Sequence, residues 1–338
     1  MDPYGLTRVV GQPGVLPQQA EQLDPSLPLH EDELLIDVDT LNVDAASFRQ
    51  LERETGGGAA AMTEAIRAIV SARGKLQNPT TGSGGMLLGT VREVGPRHPA
   101  AGRLAPGTRI ATLVSLTLTP LELKDILAID ARAERVRARG HAILFANGLY
   151  AELPSDLPEG LVLGALDVCG APALTARHVR PGDRVLVIGA GKSGALCCAQ
   201  AKRSGAAQVL AYDISRAAVE DLARLGYAEP LVGDATRGLE VFRAVEAATG
   251  GTLCDLAINV ASVSGTEMGG LLSIKEGGTV LFFSMATSFA QAALGAEGIG
   301  KDATLLIGDG YVRGHAELTL QLLRDEPKLR ALLERRFG

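Results

Sequence analysis

The chain opens without a hydrophobic period: its first 30 residues are rich in Pro and Gln and read as an irregular lead-in. Alternation begins at residues 33–39, where Leu34, Ile36 and Val38 share one face and predict a strand. Residues 42–48 read as a turn into a helix, and residues 52–62, with three glycines among several alanines, as a mobile loop. Residues 62–73 follow as a short helix with Ile66, Ile69 and Val70 on its apolar stripe. Residues 89–95 and 107–113 are short strands bounded by turns, and 115–145 adds more, most clearly at 143–145. Strands this short and this closely spaced predict a small β-rich, barrel-like domain.

Past a hinge at residues 153–158 the pattern changes. Residues 161–169 form an apolar segment of helical composition that carries Asp167. Residues 185–188 are apolar throughout and too few for a helix, which suits a strand buried on both faces. Helical composition at 195–204 and a second strand at 208–212, ending on Asp213, come next. Strands at 231–232, 254–260, 278–283 and 303–307 are interleaved with helices at 239–248 and 268–272; helices at 318–323 and 329–333 close the chain. Strand–helix alternation predicts an α/β fold with a doubly wound parallel sheet and right-handed crossovers. The expected domains are 1–155 and 156–308, with the tail 309–338 able to pack back onto the first.

Between the first two strands of the second half stands Gly189-Ala190-Gly191-Lys192-Ser193-Gly194, a G-x-G-x-x-G turn. Gly189 permits a tight exit from the strand, Gly191 lets backbone approach a pyrophosphate, and Gly194 lets helix and strand pack closely. The helix that follows offers free N–H groups and partial positive charge to the phosphates, beside Lys192 and Ser193. Asp213, about 20 residues on, is placed to bond the adenosine ribose hydroxyls and to repel a 2′-phosphate, favouring NAD while leaving NADP open. A plain βαβ turn is the bland alternative. Ligands lie at the carboxyl ends of such strands, which puts Val260 and Ala261, and Ser284 and Met285, beside the nicotinamide half.

Composition narrows the classes. With 338 residues the chain can bury two cores, and 46% hydrophobic with 21% charged residues belongs to a soluble globular protein. A net charge of −6 and the absence of basic runs interleaved with aromatics argue against nucleic acid. With no long apolar segment and no signal peptide, neither a membrane partner nor export is expected, and cytoplasm is the default. The four cysteines, Cys169, Cys197, Cys198 and Cys254, include no C-x-x-C pair, so neither a disulfide framework nor a zinc lobe is expected. Residues 78–86, Asn-Pro-Thr-Thr-Gly-Ser-Gly-Gly-Met, can turn backbone N–H groups inward to make an anion-binding concavity, or be a flexible surface turn.

A β-rich N-terminal domain, a Pro181-Gly182-Asp183 entry and the glycine turn resemble the medium-chain dehydrogenase/reductase superfamily over nearly the whole chain. The resemblance implies a GroES-like catalytic domain ahead of a Rossmann domain, with substrate in the cleft. It stops at the zinc ligands of many members: residues 42–47 lack a Cys, and Gly82-Ser83-Gly84-Gly85-Met86 stands where Gly-His-Glu would be. Cys169 and the five histidines show no ligand spacing, so no metal is expected.

Residues 78–86, Ala142-Ile143-Leu144-Phe145 and Leu166-Asp167-Val168-Cys169-Gly170-Ala171-Pro172-Ala173 resemble a zinc-free branch, the L-erythro-3,5-diaminohexanoate dehydrogenases. That resemblance implies NAD-dependent oxidative deamination of a small diamino acid at C3, as in lysine fermentation. Such chemistry needs a base, a carboxylate for the remote ammonium and a site for the substrate carboxylate. Asp167 and Asp44 are the candidates for base or ammonium partner; Thr81, Ser83, Gly84 and Gly85 are the candidates for the carboxylate. His141 and Tyr150 read as structural. The superfamily resemblance also implies a homodimer, through the strand at 304–307. The alternatives are a zinc-free enone or quinone reductase using NAD(P)H, marked by reduction of a quinone without diamine activity, and a non-catalytic NAD-binding protein, marked by tight binding without turnover.

Overall fold

The computed structural model describes residues 2–308 and 310–337; Met1, Asp309 and Gly338, which fall within the domain and tail boundaries above, lie outside the described residues. The chain separates into two compact units, the first ending at Glu159 and the second beginning at Gly160.

The first unit is built on β1 (Leu34–Val43), α1 (Ala45–Glu54), α2 (Ala59–Arg73), β2 (Gly85–Val94), β3 (Arg109–Thr112), β4 (Leu121–Asp130), β5 (Arg135–Leu144) and β6 (Tyr150–Glu152). The strands pair antiparallel in the order β4-β5-β1-β2-β3-β6. One core gathers Leu34, Ile36 and Val38 of β1 with Phe48, Met62, Ile66 and Val70 of the helices. Residues 52–62 are not a loop: α1 runs to Glu54 and α2 starts at Ala59. Alanine is the strongest helix former, so Ala59-Ala60-Ala61 extends α2 backwards, and only residues 55–58 turn, with Gly56 and Gly57 at φ 65° and 73°.

The lead-in contains a 3-10 turn at Leu6–Arg8 and is otherwise irregular, yet it is tightly tied. Buried Arg8 donates to the Glu33 carboxylate at 2.8 and 2.6 Å and to the Ser26 carbonyl. Lys75, fully buried, donates its Nζ to the carbonyls of Pro17 at 2.8 Å and Gln18 at 3.3 Å.

In the second unit, α3 (Glu159–Leu166), which begins on the boundary residue, and α4 (Gly170–His178) precede β7 (Arg184–Ile188), α5 (Lys192–Arg203) and β8 (Gln208–Asp213). Then come α6 (Arg216–Arg224), β9 (Glu229–Val232), α7 (Gly238–Thr249), β10 (Cys254–Asn259), α8 (Glu267–Ser273), β11 (Ile274–Phe282), α9 (Phe289–Gly298) and β12 (Ala303–Ile307). All strand pairs are parallel, in the order β12-β11-β10-β7-β8-β9. The order reverses between β7 and β10, which opens a crevice at their carboxyl ends. Helices α6 and α9 have no counterpart in the sequence reading. Ser215 caps α6 through its side chain and the helix buries Val219 and Leu222, whereas α9 buries only Ala292.

The tail falls within the second unit. Helices α10 (His315–Asp325) and α11 (Pro327–Phe337) pack on α4 and α5, with Leu322, Leu323, Leu329, Leu332 and Leu333 buried. Their leucine stripes find an apolar partner in those helices.

Candidate active site

The dinucleotide turn follows β7 directly. Gly189 has φ 100°, and a Cβ there would lie 3.0 Å from the backbone nitrogen of Ala261, so β7 leaves its sheet in the left-handed region against the end of β10. A Cβ on Gly194 would stand 1.8 Å from the Gly189 carbonyl, so α5 can close on the turn only with glycine there. Gly191 differs from both: its φ is −73° and a Cβ would meet nothing within 4 Å. It is also the N-cap of α5 and supplies no side-chain acceptor to the helix's first N–H groups. An uncapped helix start facing open space is the cradle a pyrophosphate fills, and the turn therefore fits a dinucleotide.

Asp213 ends β8 beside this turn. Its Oδ2 accepts the Ala190 N–H at 2.7 Å and its Oδ1 accepts the Ser215 N–H at 2.8 Å, so the acid both braces the turn and starts α6. Val260 and Ala261 continue β10: the Val260 N–H reaches Ile188 O at 2.9 Å and Ala261 N–H the buried Asn259 Oδ1 at 3.2 Å. Ser284 is tied to Asn259 O at 3.3 Å and accepts Ala286 N–H on its Oγ, while Met285 is 85% exposed. Gly189 and the Val260–Ala261 pair are thus brought together, and Ser284 joins them through Asn259.

Lys192, the first residue of α5, carries an ion pair. Its Nζ donates to Asp167 Oδ2 at 2.9 Å, joining two residues that the sequence placed in separate roles. Asp167 follows the last residue of α3, its N–H bonded to Leu163 O at 3.0 Å, and Lys192 is the first residue of α5. An anion at a helix C-terminus and a cation at an N-terminus are each disfavoured, by roughly 0.3–1 kcal/mol. Each charge sits at the wrong end of its helix, and the pair offsets that placement.

In the first unit Asp44 is the N-cap of α1. Its Oδ1 accepts from Ala46 N at 2.9 Å, Ser47 N at 3.4 Å and Ser83 Oγ at 3.1 Å. Ser47, buried on the first turn of α1, lies 2.6 Å from both Thr81 Oγ1 and Ser83 Oγ. The hydroxyls of Thr81, Ser47 and Ser83 therefore run in a hydrogen-bonded chain that ends on the Asp44 carboxylate, with Thr81 at the exposed end. Asn78 shapes the loop from within: its Nδ2 donates to Gln50 Oε1 at 2.6 Å, and its Oδ1 accepts from Thr80 N and Thr81 N at 2.8 and 3.3 Å.

Four successive N–H groups of the loop, from Thr80 to Ser83, turn inward. Thr80 and Thr81 N–H go to Asn78 Oδ1, Gly82 N–H to Asn78 O at 2.8 Å, and Ser83 N–H to Thr81 Oγ1 at 3.3 Å. These donors are spent internally, so the loop offers hydroxyls in their place. Gly84 and Gly85 serve close packing: a Cβ would come within 2.4 Å of Leu76 O and 2.0 Å of Asn42 O respectively. Ser47 and Gln50 escaped the sequence reading as candidates because polar side chains after a cap look like any solvated helix start.

The remaining candidates are structural in their contacts. His141 Nε2 lies 2.7 Å from Pro25 O. Burial pushes the thiols of Cys169, Cys197 and Cys254 up to about 12 and holds that of Cys198 well above its usual value, so none is a ready thiolate at neutral pH. Among the described residues, no three His, Cys, Asp or Glu side chains are placed to hold a metal ion. Among them, too, no single helix is long and apolar enough to cross a membrane.

An antiparallel six-stranded unit followed by a parallel sheet with its glycine turn at the switch point defines the medium-chain dehydrogenase/reductase fold. The solved alcohol dehydrogenase of Thermotoga maritima shares it at a TM-score of 0.58 and 17% identity, over 96% of this chain and 88% of that one. The profile of the L-erythro-3,5-diaminohexanoate dehydrogenase N-terminal domain matches residues 7–154. L-erythro-3,5-diaminohexanoate dehydrogenase of Acetoanaerobium sticklandii is 46% identical over 99% of this chain and 98% of its own length. Its namesake in Fusobacterium nucleatum is 45% identical over 97% and 96%. The chain belongs to the L-erythro-3,5-diaminohexanoate dehydrogenase family, as an oxidoreductase that takes a nicotinamide cofactor.

Proposed function

We propose that this enzyme converts L-erythro-3,5-diaminohexanoate, NAD and water to 5-amino-3-oxohexanoate, ammonia and NADH, without a metal. The observation that carries the reading is near-full-length identity of 45–46% to two dehydrogenases of that name. The side chains suit the chemistry. Bound at the glycine turn, NAD would supply the hydride acceptor for C3. Asp213, an acid beside the turn, favours NAD over NADP by repelling a 2′-phosphate.

The reacting amine must be neutral before hydride can leave, so one proton has to pass to the protein. The Thr81–Ser47–Ser83 chain gives that proton a path of short hydroxyl contacts to Asp44. Loss of hydride makes C3 an iminium; water adds, one of its protons passes to nitrogen, and the C–N bond breaks with the electron pair leaving on ammonia as the carbonyl forms. Once it has released the first proton to solvent at its exposed Thr81 end, the same chain can take the second proton of the added water. Asp167 supplies a carboxylate for the remote ammonium, in exchange for Lys192. The exposed outer strand β12, with Ile307 62% exposed and Leu294 of α9 67% exposed, supports a homodimer formed along that edge.

The test follows absorbance at 340 nm with the diamine and NAD, with and without a chelator. NADH formation indifferent to chelator is the expected result. Chelator-sensitive activity overturns the metal-free part. Silence with both NAD and NADP, together with reduction of a quinone by NAD(P)H, replaces the reading with a reductase.

A further inference from the structure

The two peptides at the head of the dinucleotide turn are each held by a charged side chain from elsewhere in the second unit. Asp213 takes the N–H of Ala190, which fixes the Gly189–Ala190 peptide. The Ala190 carbonyl, which belongs to the next peptide, accepts Nη1 of Arg336 at 3.3 Å. Arg336 lies in the last turn of α11, 146 residues away in sequence. Its Nη2 is anchored on α6, at 2.6 Å from Asp221 Oδ2, 3.2 Å from Ala218 O and 3.4 Å from Ala217 O. The guanidinium side chain is only 17% exposed and Asp221 15%. Burial by itself would raise the Asp221 carboxyl, and the bonds from Arg336, with Arg224, outweigh it and hold the carboxyl below its usual range. The pair is thus a charged contact shielded from water, with a planar fork that bonds carboxylate and carbonyls together.

In a trans peptide the C=O and N–H point in opposite directions. A guanidinium on the Ala190 carbonyl therefore turns the Gly191 N–H the other way, away from Arg336, and a Cβ on Gly191 itself would meet nothing within 4 Å. Glycine makes the opposite orientation cheap, because a flip of the Ala190–Gly191 peptide meets no side chain at Gly191. Flipped, the peptide would present a carbonyl oxygen to the phosphates instead of a donor. We propose that Arg336 is a positioning residue of the cofactor site, which locks the Ala190–Gly191 peptide with its N–H towards the pyrophosphate and makes the C-terminal helix α11 a working part of dinucleotide binding. The inference rests on the cofactor reading above, and it adds a determinant from outside the turn motif.

The experiment titrates NADH into the full chain by calorimetry, first for the wild type, then for Arg336→Ala, Arg336→Lys, Asp221→Asn and Arg335→Ala. Arg335 shares Asp221, at 3.1 Å, without touching the turn. Arg336→Ala is expected to raise the NADH Kd about tenfold, Arg336→Lys and Asp221→Asn by less, and Arg335→Ala by under twofold. In steady state KM for NAD rises with Kd while KM for the diamine holds, a split that general loss of structure would not give. Should Arg336→Ala fail to fold, the lysine and Asp221 variants carry the same comparison. NADH affinity within twofold of wild type in folded Arg336 variants overturns the proposal, as does an equal rise in both KM values. No NADH binding by the wild type would overturn the cofactor reading itself, and the inference with it.

Discussion

Gly191 and Gly194 stand three residues apart in one turn, and the structure assigns them opposite reasons for being glycine. A methyl at Gly191 would find open space, and φ of −73° is ordinary for any L-residue. Gly191→Ala therefore leaves the free protein folded, and restricting the unfolded chain adds about 0.4–1 kcal/mol of stability. On the proposed cofactor placement, the space the methyl takes is the space the pyrophosphate needs. Forcing an extra methyl into a packed contact costs about 1–3 kcal/mol, which is roughly a 5- to 150-fold loss of dinucleotide affinity. At Gly194 a methyl would sit 1.8 Å from the Gly189 carbonyl, a clash with backbone that only displacement of α5 relieves. Gly194→Ala should thus lower the melting temperature of the free protein as well as binding. Thermal unfolding without ligand and calorimetric NADH titration, run on both variants, check the contrast. A Gly191→Ala protein that binds NADH like the wild type, or that melts lower than it, would refute the assignment of that space to the pyrophosphate.

Three further outcomes follow from named contacts. Asp213→Asn should narrow the preference for NAD over NADP by about tenfold, about 1.4 kcal/mol, in paired Kd measurements; an unchanged ratio would remove Asp213 as the discriminator. Asp167→Asn takes the counterion from Lys192 and should lower kcat/KM for the diamine more than tenfold while NADH binds as well or better; a change under twofold would mean that the pair serves structure alone. Lys75 is pushed down from 10.5 to about 8 by desolvation, with the nearby Arg73 adding to it. The unfolded chain then holds that proton where the folded one does not, so the group's cost is fully present below pH 8 and is relieved as pH rises towards 10.5. From pH 8 to 9.5, urea unfolding should show the wild type gaining about 1–2 kcal/mol relative to Lys75→Met, and a flat difference would contradict the burial of the charge.

The parallel sheet was legible because its strands are buried on both faces and leave continuous apolar runs, as Val185–Ile188 does, and because Gly189, Gly191 and Gly194 are spaced for one turn. Helix α6 was not, since only Val219 and Leu222 of its nine residues are buried and its pattern is mostly that of a solvated surface. The alanines at 59–61 were read as loop for their neighbours' sake, although alanine by itself favours helix. The candidates Asp44, Thr81, Ser83, Asp167 and Lys192 can each be named from the sequence, but their contacts cannot, because Asp167 and Lys192 are 25 residues apart and Ser47 and Ser83 are 36 apart. In the loop at 78–84, whether an N–H faces outward or its own Asn78 depends on a side-chain rotamer that spacing does not encode.

The irregular N-terminal segment has a role that its Pro- and Gln-rich composition conceals. It contributes Arg8 to a buried Glu33 and lends the carbonyls of Pro17 and Gln18 to a buried Lys75. In electrostatic terms it is the counterion layer of the first unit, in which a peptide segment does what solvent does for surface charge. Trimming it as though it were a leader would expose no new surface chemistry. It would instead leave a carboxylate and an ammonium inside the protein without partners, and the fold would have to open to water at both places.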